Sequence, residues 1–267
     1  MTPIYIAEHC HSTYSKDGES VLAEMVQKAK QCSIQYLYLT EHAEDVTEVQ
    51  WKQLVQECKD YSQGIEVIPG LEFRTKEGLH ILGLSLQNYY LAQTCVEACT
   101  FIRSQGGFSI VAHPNYYPAL LDPPCFDFNL VDAIEIWTAK ADTQHCPRKK
   151  ILKLYQQLKR TYPHLLPVAG LDAHGTYMLS GPRMQIQLDQ LEGQKTPLDL
   201  LREKKYILVG GAVKLNSEGM PLQGQWRITV FHSIFFVKRI LQKIAKRWRK
   251  QGLPELNLLR KLFRKIF

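Results

Sequence analysis

Residues 4–18 read Ile4-Tyr5-Ile6-Ala7-Glu8-His9-Cys10-His11-Ser12-Thr13-Tyr14-Ser15-Lys16-Asp17-Gly18. Ile4–Ala7 is a short strand candidate that delivers two imidazoles one residue apart. Alternate residues of a strand face the same side, so His9 and His11 can reach one metal while Cys10 faces away. Asp172-Ala173-His174 repeats the arrangement after the strand candidate Leu166–Leu171. Working inward from these ends, Ile34–Thr40, Ile65–Leu71, Leu79–Leu84, Phe108–Ala112 and Val131–Trp137 are further buried-strand candidates. Lys76-Glu77-Gly78 is a turn signal joining two of them. Between the strands, Val21–Cys32, Trp51–Tyr61, Gln93–Gln105 and Arg148–Thr161 carry helical periodicity, as in Val21, Met25, Ala29 and Cys32. Strands alternating with helices predict an α/β fold with a mainly parallel sheet. About seven such units favour a closed or nearly closed barrel.

In α/β barrels the loops at the C-terminal strand ends form the active site. Here those ends carry His9 and His11, then Thr40-Glu41-His42, Glu72, His80, His113-Pro114, and Asp172 with His174. A single histidine near a core strand is more often a hydrogen-bonded core residue than a ligand. The weight lies in the set, because burying so many titratable groups together without a metal is costly. Imidazole mixed with carboxylate suits Zn, Mn or Fe(II), whereas Ca or Mg wants mainly oxygen. No serine nucleophile elbow, Walker loop or cysteine-based signature offers another chemistry.

The chain has 267 residues, 45% hydrophobic, and a net charge of +7. That excludes general disorder and allows a full core without staples. No run is long and apolar enough to span a bilayer. Met1 to His11 lacks a basic start and an apolar run, so a secretory leader is not expected. Seven cysteines, an odd count, fit reduced thiols in a cytoplasm. The charge is uneven: residues 225–267 hold 12 Lys+Arg against Glu255 alone, while the first 224 residues hold 21 basic and 25 acidic residues. A mildly acidic body, 1–215, and a basic tail, 225–267, therefore need separate explanations.

The motifs, in order, resemble the PHP family, named for polymerase and histidinol phosphatase domains. Its opening H-x-H and Ser…Asp-Gly stretch is His9-Cys10-His11 followed by Ser15-Lys16-Asp17-Gly18. Its Thr-Asp-His motif stands as Thr40-Glu41-His42, its Pro-Gly-Glu-like strand end as Pro69-Gly70-Leu71-Glu72, and its lone strand histidine as His80-Ile81-Leu82-Gly83. Ala112-His113-Pro114 and Leu171-Asp172-Ala173-His174 complete the set. The match covers roughly residues 4–212. The resemblance implies a distorted seven-stranded (β/α) barrel of PHP type with two to three divalent transition metals (Mn, Zn or Fe). One would take His9, His11, Glu72 and Asp172. A second would share Glu72 and add His80 and His113. A third would take Asp17, His42 and His174. Ala7 stands where the family usually has Asp, Glu41 where it has Asp, and Leu171 where it has Ser. None of these is a ligand.

The implied activity is metal-dependent hydrolysis of a phosphate monoester by a metal-bridged hydroxide, with a small soluble phosphate such as a nucleotide or amino-alcohol phosphate as substrate. His42 is a catalytic candidate for protonating the leaving oxygen. Arg183, Arg74 and Lys140 are candidate substrate anchors, each weighed against a solvated surface charge. Glu135 is either an orienting carboxylate or a plain strand-end acid. Trp137 and Tyr116-Tyr117 either stack on substrate or pack in the wall. Cys95 and Cys99, four apart on a helix, are core. The alternative function is a phosphodiesterase or nuclease, with the basic tail on nucleic acid. In that tail Val230, Ile234, Val237, Leu241, Ala245 and Trp248 make one stripe and Lys238, Lys243, Lys246, Arg249 and Lys250 other faces. After Gly252-Leu253-Pro254 a second basic amphipathic helix is predicted. Residues 226–267 thus suit an anionic membrane surface, a peripheral site on its inner face. Nucleic acid, or packing of the stripe on the body, are the competitors.

Overall fold

A computed structural model describes residues 3–121, 124–142, 144–187, 195–211, 213–231 and 233. The first strand, β1 (Pro3–Cys10), leads through α1 (Leu22–Gln31) to β2 (Ile34–Leu39). α1 buries Leu22, Met25, Val26 and Ala29, the i, i+3, i+4, i+7 face of an amphipathic helix. After Thr40 the chain makes β3 (Glu41–His42) and α2 (Glu48–Tyr61), which opens on a Thr47–Gln50 capping box. β4 (Glu66–Ile68), β5 (Gly70–Arg74) and β6 (His80–Leu84) follow, then α3 (Cys95–Ser104), β7 (Phe108–Val111), β8 (Ala133–Thr138), α4 (Lys149–Thr161) and β9 (Leu166–Gly170). Cys95 and Cys99 lie buried on α3 with Ala98 and Ile102, as core. The remaining elements are β10 (Arg183–Gln187), α5 (Pro197–Arg202), β11 (Ile207–Gly210), β12 (Val213–Asn216) and β13 (Pro221–Gln223).

Two sheets result. One has the order β13-β12-β11-β10-β1-β2-β4, the other β3-β5-β6-β7-β8-β9. The runs β2–β3 and β4–β5 each pass from the first sheet to the second after a single residue, Thr40 or Pro69. The ends of β1 and β9 are joined as well: Leu171 N donates to Glu8 O at 3.1 Å, Ala173 N to His9 O at 3.0 Å, and His11 N to Ala173 O at 2.8 Å.

The mainly parallel sheet expected from sequence is corrected to a mixed one. β1-β2-β4, β3-β5 and β7-β8-β9 are parallel, but β5-β6-β7 and β1-β10-β11-β12-β13 are antiparallel. The β5–β6 connection turns within Thr75–Leu79, with Gly78 at φ 88°, far too short for a crossover. β10–β13 and α5 are three to six residues long, too short to carry a clear periodicity.

The chain divides into the units Met1–Gln225 and Trp226–Phe267. Residues 225–231 are helical. The rest of the expected basic tail, including Trp248 and the second helix, lies outside the described residues. No helix among the described residues is long and apolar enough to cross a membrane.

Candidate metal centre

The strand ends converge on Glu72, which is 1% exposed. Its Oε2 lies 3.4 Å from His9 Nε2, 3.2 Å from His11 Nε2 and 3.2 Å from His42 Nδ1. Its Oε1 lies 2.6 Å from His80 Nδ1 and 3.1 Å from His113 Nε2. Asp172 Oδ1 stands 3.6 Å from His9 Nε2 and 3.8 Å from His11 Nε2. At the exposed edge, Asp17 spans His42 (Oδ1 to Nε2, 3.3 Å) and His174 (Oδ2 to Nε2, 2.9 Å). All nine side chains singled out in the sequence are therefore brought into one cluster.

Ligand atoms within 4.8 Å of one another form four groups: His11, His42 and His174; His9, His113 and Asp172; His9, His11 and Glu72; Glu72, His80 and His113. His9 Nε2, His11 Nε2 and Glu72 Oε2 are buried and have no hydrogen-bond partner. Uncompensated buried polar atoms are expensive, and three converging lone-pair donors are what a cation needs. The donor set fits divalent transition metals. Burial pushes Glu72 up, but the surrounding His9, His11, His113 and His80 rings override it and hold the carboxyl well below its usual range. Burial lowers His11 to about 4, so its imidazole stays neutral, the form that ligates.

The path to this geometry differs from simple strand alternation. His9 has φ 62°, and the β1–β2 register shifts between Ala7 and Cys10. His9 and His11 meet at Glu72 across this irregularity, which no sequence signal announces. His113 (φ 28°) and Asp172 (φ 49°) are left-handed too.

The anchor candidates separate. Lys140 Nζ sits 3.5 Å from Asp172 Oδ1 and 3.2 Å from His174 Nδ1, inside the cluster's rim. Arg74 is largely exposed and pairs with Glu44 at 3.5 Å. Arg183 is not brought to the site: its Nη1 donates to Cys32 O at 2.7 Å, and its guanidinium lies 4.8 Å from the Tyr5 ring centre. Its backbone lies past Met184, the partner of Ile6, towards the ligand end of β1, but its side chain turns back to Tyr5 and the carbonyl that closes α1. Trp137 is fully buried against Gly210, in the wall. Tyr117 stacks beside His80 and His113 (5.7 and 5.8 Å), and half-exposed Tyr116 beside His113 (5.1 Å).

Several groups go beyond the sequence reading. Glu135 is an orienting carboxylate, accepting from His9 Nδ1 at 2.6 Å. Glu41 accepts from Ser12 N, Ser12 Oγ and Ser15 Oγ, and burial pushes it up to about 7 against those bonds. Asn115 donates to Asp142, whose other oxygen accepts from Thr138 N at 3.1 Å. Burial raises Asp142 to about 7. Glu8, fully buried beneath His9, is raised well above its usual range by burial and by Glu135. None of Glu8, Asn115 and Asp142 belongs to a motif that marks it.

Comparison with known proteins agrees with this geometry. A PHP domain model matches residues 8–206, about three quarters of the chain. Solved structures share the fold. A two-domain protein from Bacteroides vulgatus containing a predicted PHP-like metal-dependent phosphoesterase is 16% identical, with a TM-score of 0.58 over 80% of this chain and 66% of its own length. PsfC from Pseudomonas syringae is 19% identical, with a TM-score of 0.55 over 88% of this chain and 98% of its own. The lesion-specific endonuclease Q from Pyrococcus furiosus is 12% identical, with a TM-score of 0.53 over 76% of this chain and 56% of its own. The chain thus spans just under two thirds of the first and little more than half of the last. No curated protein matches. Motifs, clustered ligands and family model agree: the chain belongs to the PHP domain family.

Proposed function

We propose that this protein hydrolyses phosphate monoesters, using two to three divalent transition metals of the Mn, Zn or Fe class. The observation that carries the reading is the convergence of three buried, unpartnered ligand atoms, His9 Nε2, His11 Nε2 and Glu72 Oε2. His9, His11, Glu72 and Asp172 would hold one metal, Glu72, His80 and His113 a second, and Asp17, His42 and His174 a third. The reading includes a distorted seven-stranded barrel, supported by the hydrogen bonds that join β1 and β9. Metals in such a cluster lower the pKa of water and neutralise phosphoryl oxygens.

The chain's own residues supply the rest. The phosphoryl group enters at the Asp17 and Lys140 side, the exposed rim of an otherwise buried cluster. Lys140 Nζ holds a phosphoryl oxygen as a charge-assisted anchor. In the two-metal form His42, 12% exposed at its side chain, carries a proton on Nε2 rather than a third metal and offers it to the leaving oxygen, so that water and ester become phosphate and alcohol. Tyr116 and Tyr117 line the wall where the leaving group sits. Reduced thiols and an acidic body fit a small soluble substrate in a cytoplasm.

A second reading, phosphodiester cleavage in nucleic acid, is favoured by the likeness to endonuclease Q, one structure of which holds a 27-mer duplex with an abasic lesion, and by the basic tail. The deciding experiment loads the full chain with Mn, Zn or Fe(II) separately and screens phosphomonoesters, phosphodiesters and abasic duplex DNA. Metal-dependent release of inorganic phosphate from monoesters is expected. Cleavage of diesters alone would select the second reading, and a chain that binds no metal would overturn both.

A further inference from the structure

We infer that two buried carboxylates, Glu135 and Glu41, preset different halves of the metal centre: Glu135 the half built on His9 and His113, Glu41 the half built on His11 and His42. The inference rests on the proposed metal-dependent function, but concerns residues outside every ligand group.

The need for such devices is visible in the backbone. His9, His113 and Asp172 form one ligand group, and all three have positive φ, at 62°, 28° and 49°. A non-glycine residue in that region is strained and persists only when its surroundings fix it. Glu135 fixes two of the three. Its Oε1 accepts from His9 Nδ1 at 2.6 Å, and its Oε2 accepts from His113 N at 2.5 Å and Thr138 Oγ1 at 2.8 Å. With Nδ1 engaged, His9 presents its unpartnered Nε2 to Glu72 and Asp172. The fully buried Glu135 reaches this position because residue 170 is glycine: a Cβ there would fall 1.9 Å from Glu135 Oε1.

Glu41 serves the other half through a separate set of bonds. Ser12 N (2.9 Å), Ser12 Oγ (2.6 Å) and Ser15 Oγ (2.6 Å) all donate to it. Ser15 Oγ in turn accepts from His42 N at 2.9 Å and lies 3.4 Å from His11 Nδ1. The two carboxylates share no hydrogen-bond partner, so removing one leaves the other's half in place.

Metal-free full-length protein is titrated with Co(II), followed by visible absorption and calorimetry, with bound cobalt per chain measured by elemental analysis. The site of His9, His11, Glu72 and Asp172 draws on both halves and should weaken in either variant, so titrations of His80→Ala and His42→Ala identify the absorption components of the sites that belong to one half only. Glu135→Gln should weaken the component that His80→Ala removes by about 10–100-fold and spare the other. Glu41→Gln should do the converse. Thr138→Val, which deletes only one bond to Glu135, should shift the same component as Glu135→Gln by a smaller factor, and it keeps the test decisive if Glu135→Gln does not fold. Wild-type titrations for all variants, or equal loss from both components, would overturn the inference while the proposed function stands. A wild-type chain that takes up no Co(II) would instead overturn the function itself.

Discussion

β1 begins and ends in opposite kinds of site. At its start, Tyr5 lies against the Arg183 guanidinium, which donates to the Cys32 carbonyl at 2.7 Å, and Tyr5 N donates to Gln35 Oε1 at 2.8 Å. The polar groups there pair off within the protein. At its finish, four residues later, His9 and His11 keep buried nitrogens with no hydrogen bond and meet the equally unpartnered Glu72 Oε2. One end is closed and contributes stability. The other keeps lone pairs free for a ligand and carries strained backbone to aim them. The same element can do both because its partners differ: the Arg183 side chain of antiparallel β10 reaches back to Tyr5, and the β9 end brings Asp172 to the finish.

The sharpest way to break this contrast is Glu72→Gln. Because both oxygens of Glu72 face imidazoles, the substitution should lower bound metal and reduce kcat by roughly 1000-fold, as loss of a metal bridge removes several kcal/mol of charge stabilisation. Far-ultraviolet circular dichroism should be unchanged. Full metal content and normal turnover would show that the unpartnered atoms are not ligands.

Acid should affect the ligand end next. In metal-free protein, His11 titrates near 4 when folded and about 6.5 when unfolded. The unfolded chain binds the extra proton between those values, so stability present above pH 6.5 is lost as pH falls towards 4, by about 3 kcal/mol. Glu41, raised to about 7, has the opposite sign: its contribution is present at low pH and lost as pH rises from about 4.5 to 7. Urea unfolding of wild type and His11→Gln from pH 4 to 7 separates the two. Equal slopes would count against a buried neutral His11.

Chelation comes third. A metal held at a free concentration 100-fold above its Kd stabilises the fold by about 2.7 kcal/mol, and its removal should lower Tm accordingly. The Tm loss should be the same in Arg183→Ala, since that residue sits at the closed end. Arg183→Ala itself should cost about 2 kcal/mol, from one charge-assisted hydrogen bond and one cation–π contact, with KM and metal content unchanged. A raised KM would return Arg183 to the substrate. Lys140→Ala is the smallest expected effect: about a tenfold rise in KM with metal content retained.

The two ends were unequally legible. The ligand end announced itself because imidazole and carboxylate are rare at consecutive strand ends, and nine such residues in family order leave little freedom of interpretation, although His80 opens β6 and Asp17 lies in a turn after β1. For Arg183 the sequence leaves a choice between substrate anchor and solvated charge, because Ser180-Gly181-Pro182 suggests a loop, whereas those residues lead directly into β10. A charged residue on an antiparallel strand looks the same in sequence whether it faces substrate or a helix-end carbonyl. Glu135 was ambiguous for a related reason: a strand-end carboxylate acquires its role only when His9 from β1 and His113 from the end of β7 arrive on either side.

Periodicity and residue chemistry, which are local, were enough for the alternation of strands and helices, the cysteines in the core of α3, the identity of the nine clustered residues and the family they imply. The tertiary structure decided the mixed strand directions, the left-handed backbone at His9, His113 and Asp172, the division between an open and a closed end of β1, and the work of Glu135 and Glu41. Those depend on which strands become neighbours. A buried carboxylate costs several kcal/mol alone and becomes tolerable, and useful, only beside donors that lie up to 126 positions away in the chain.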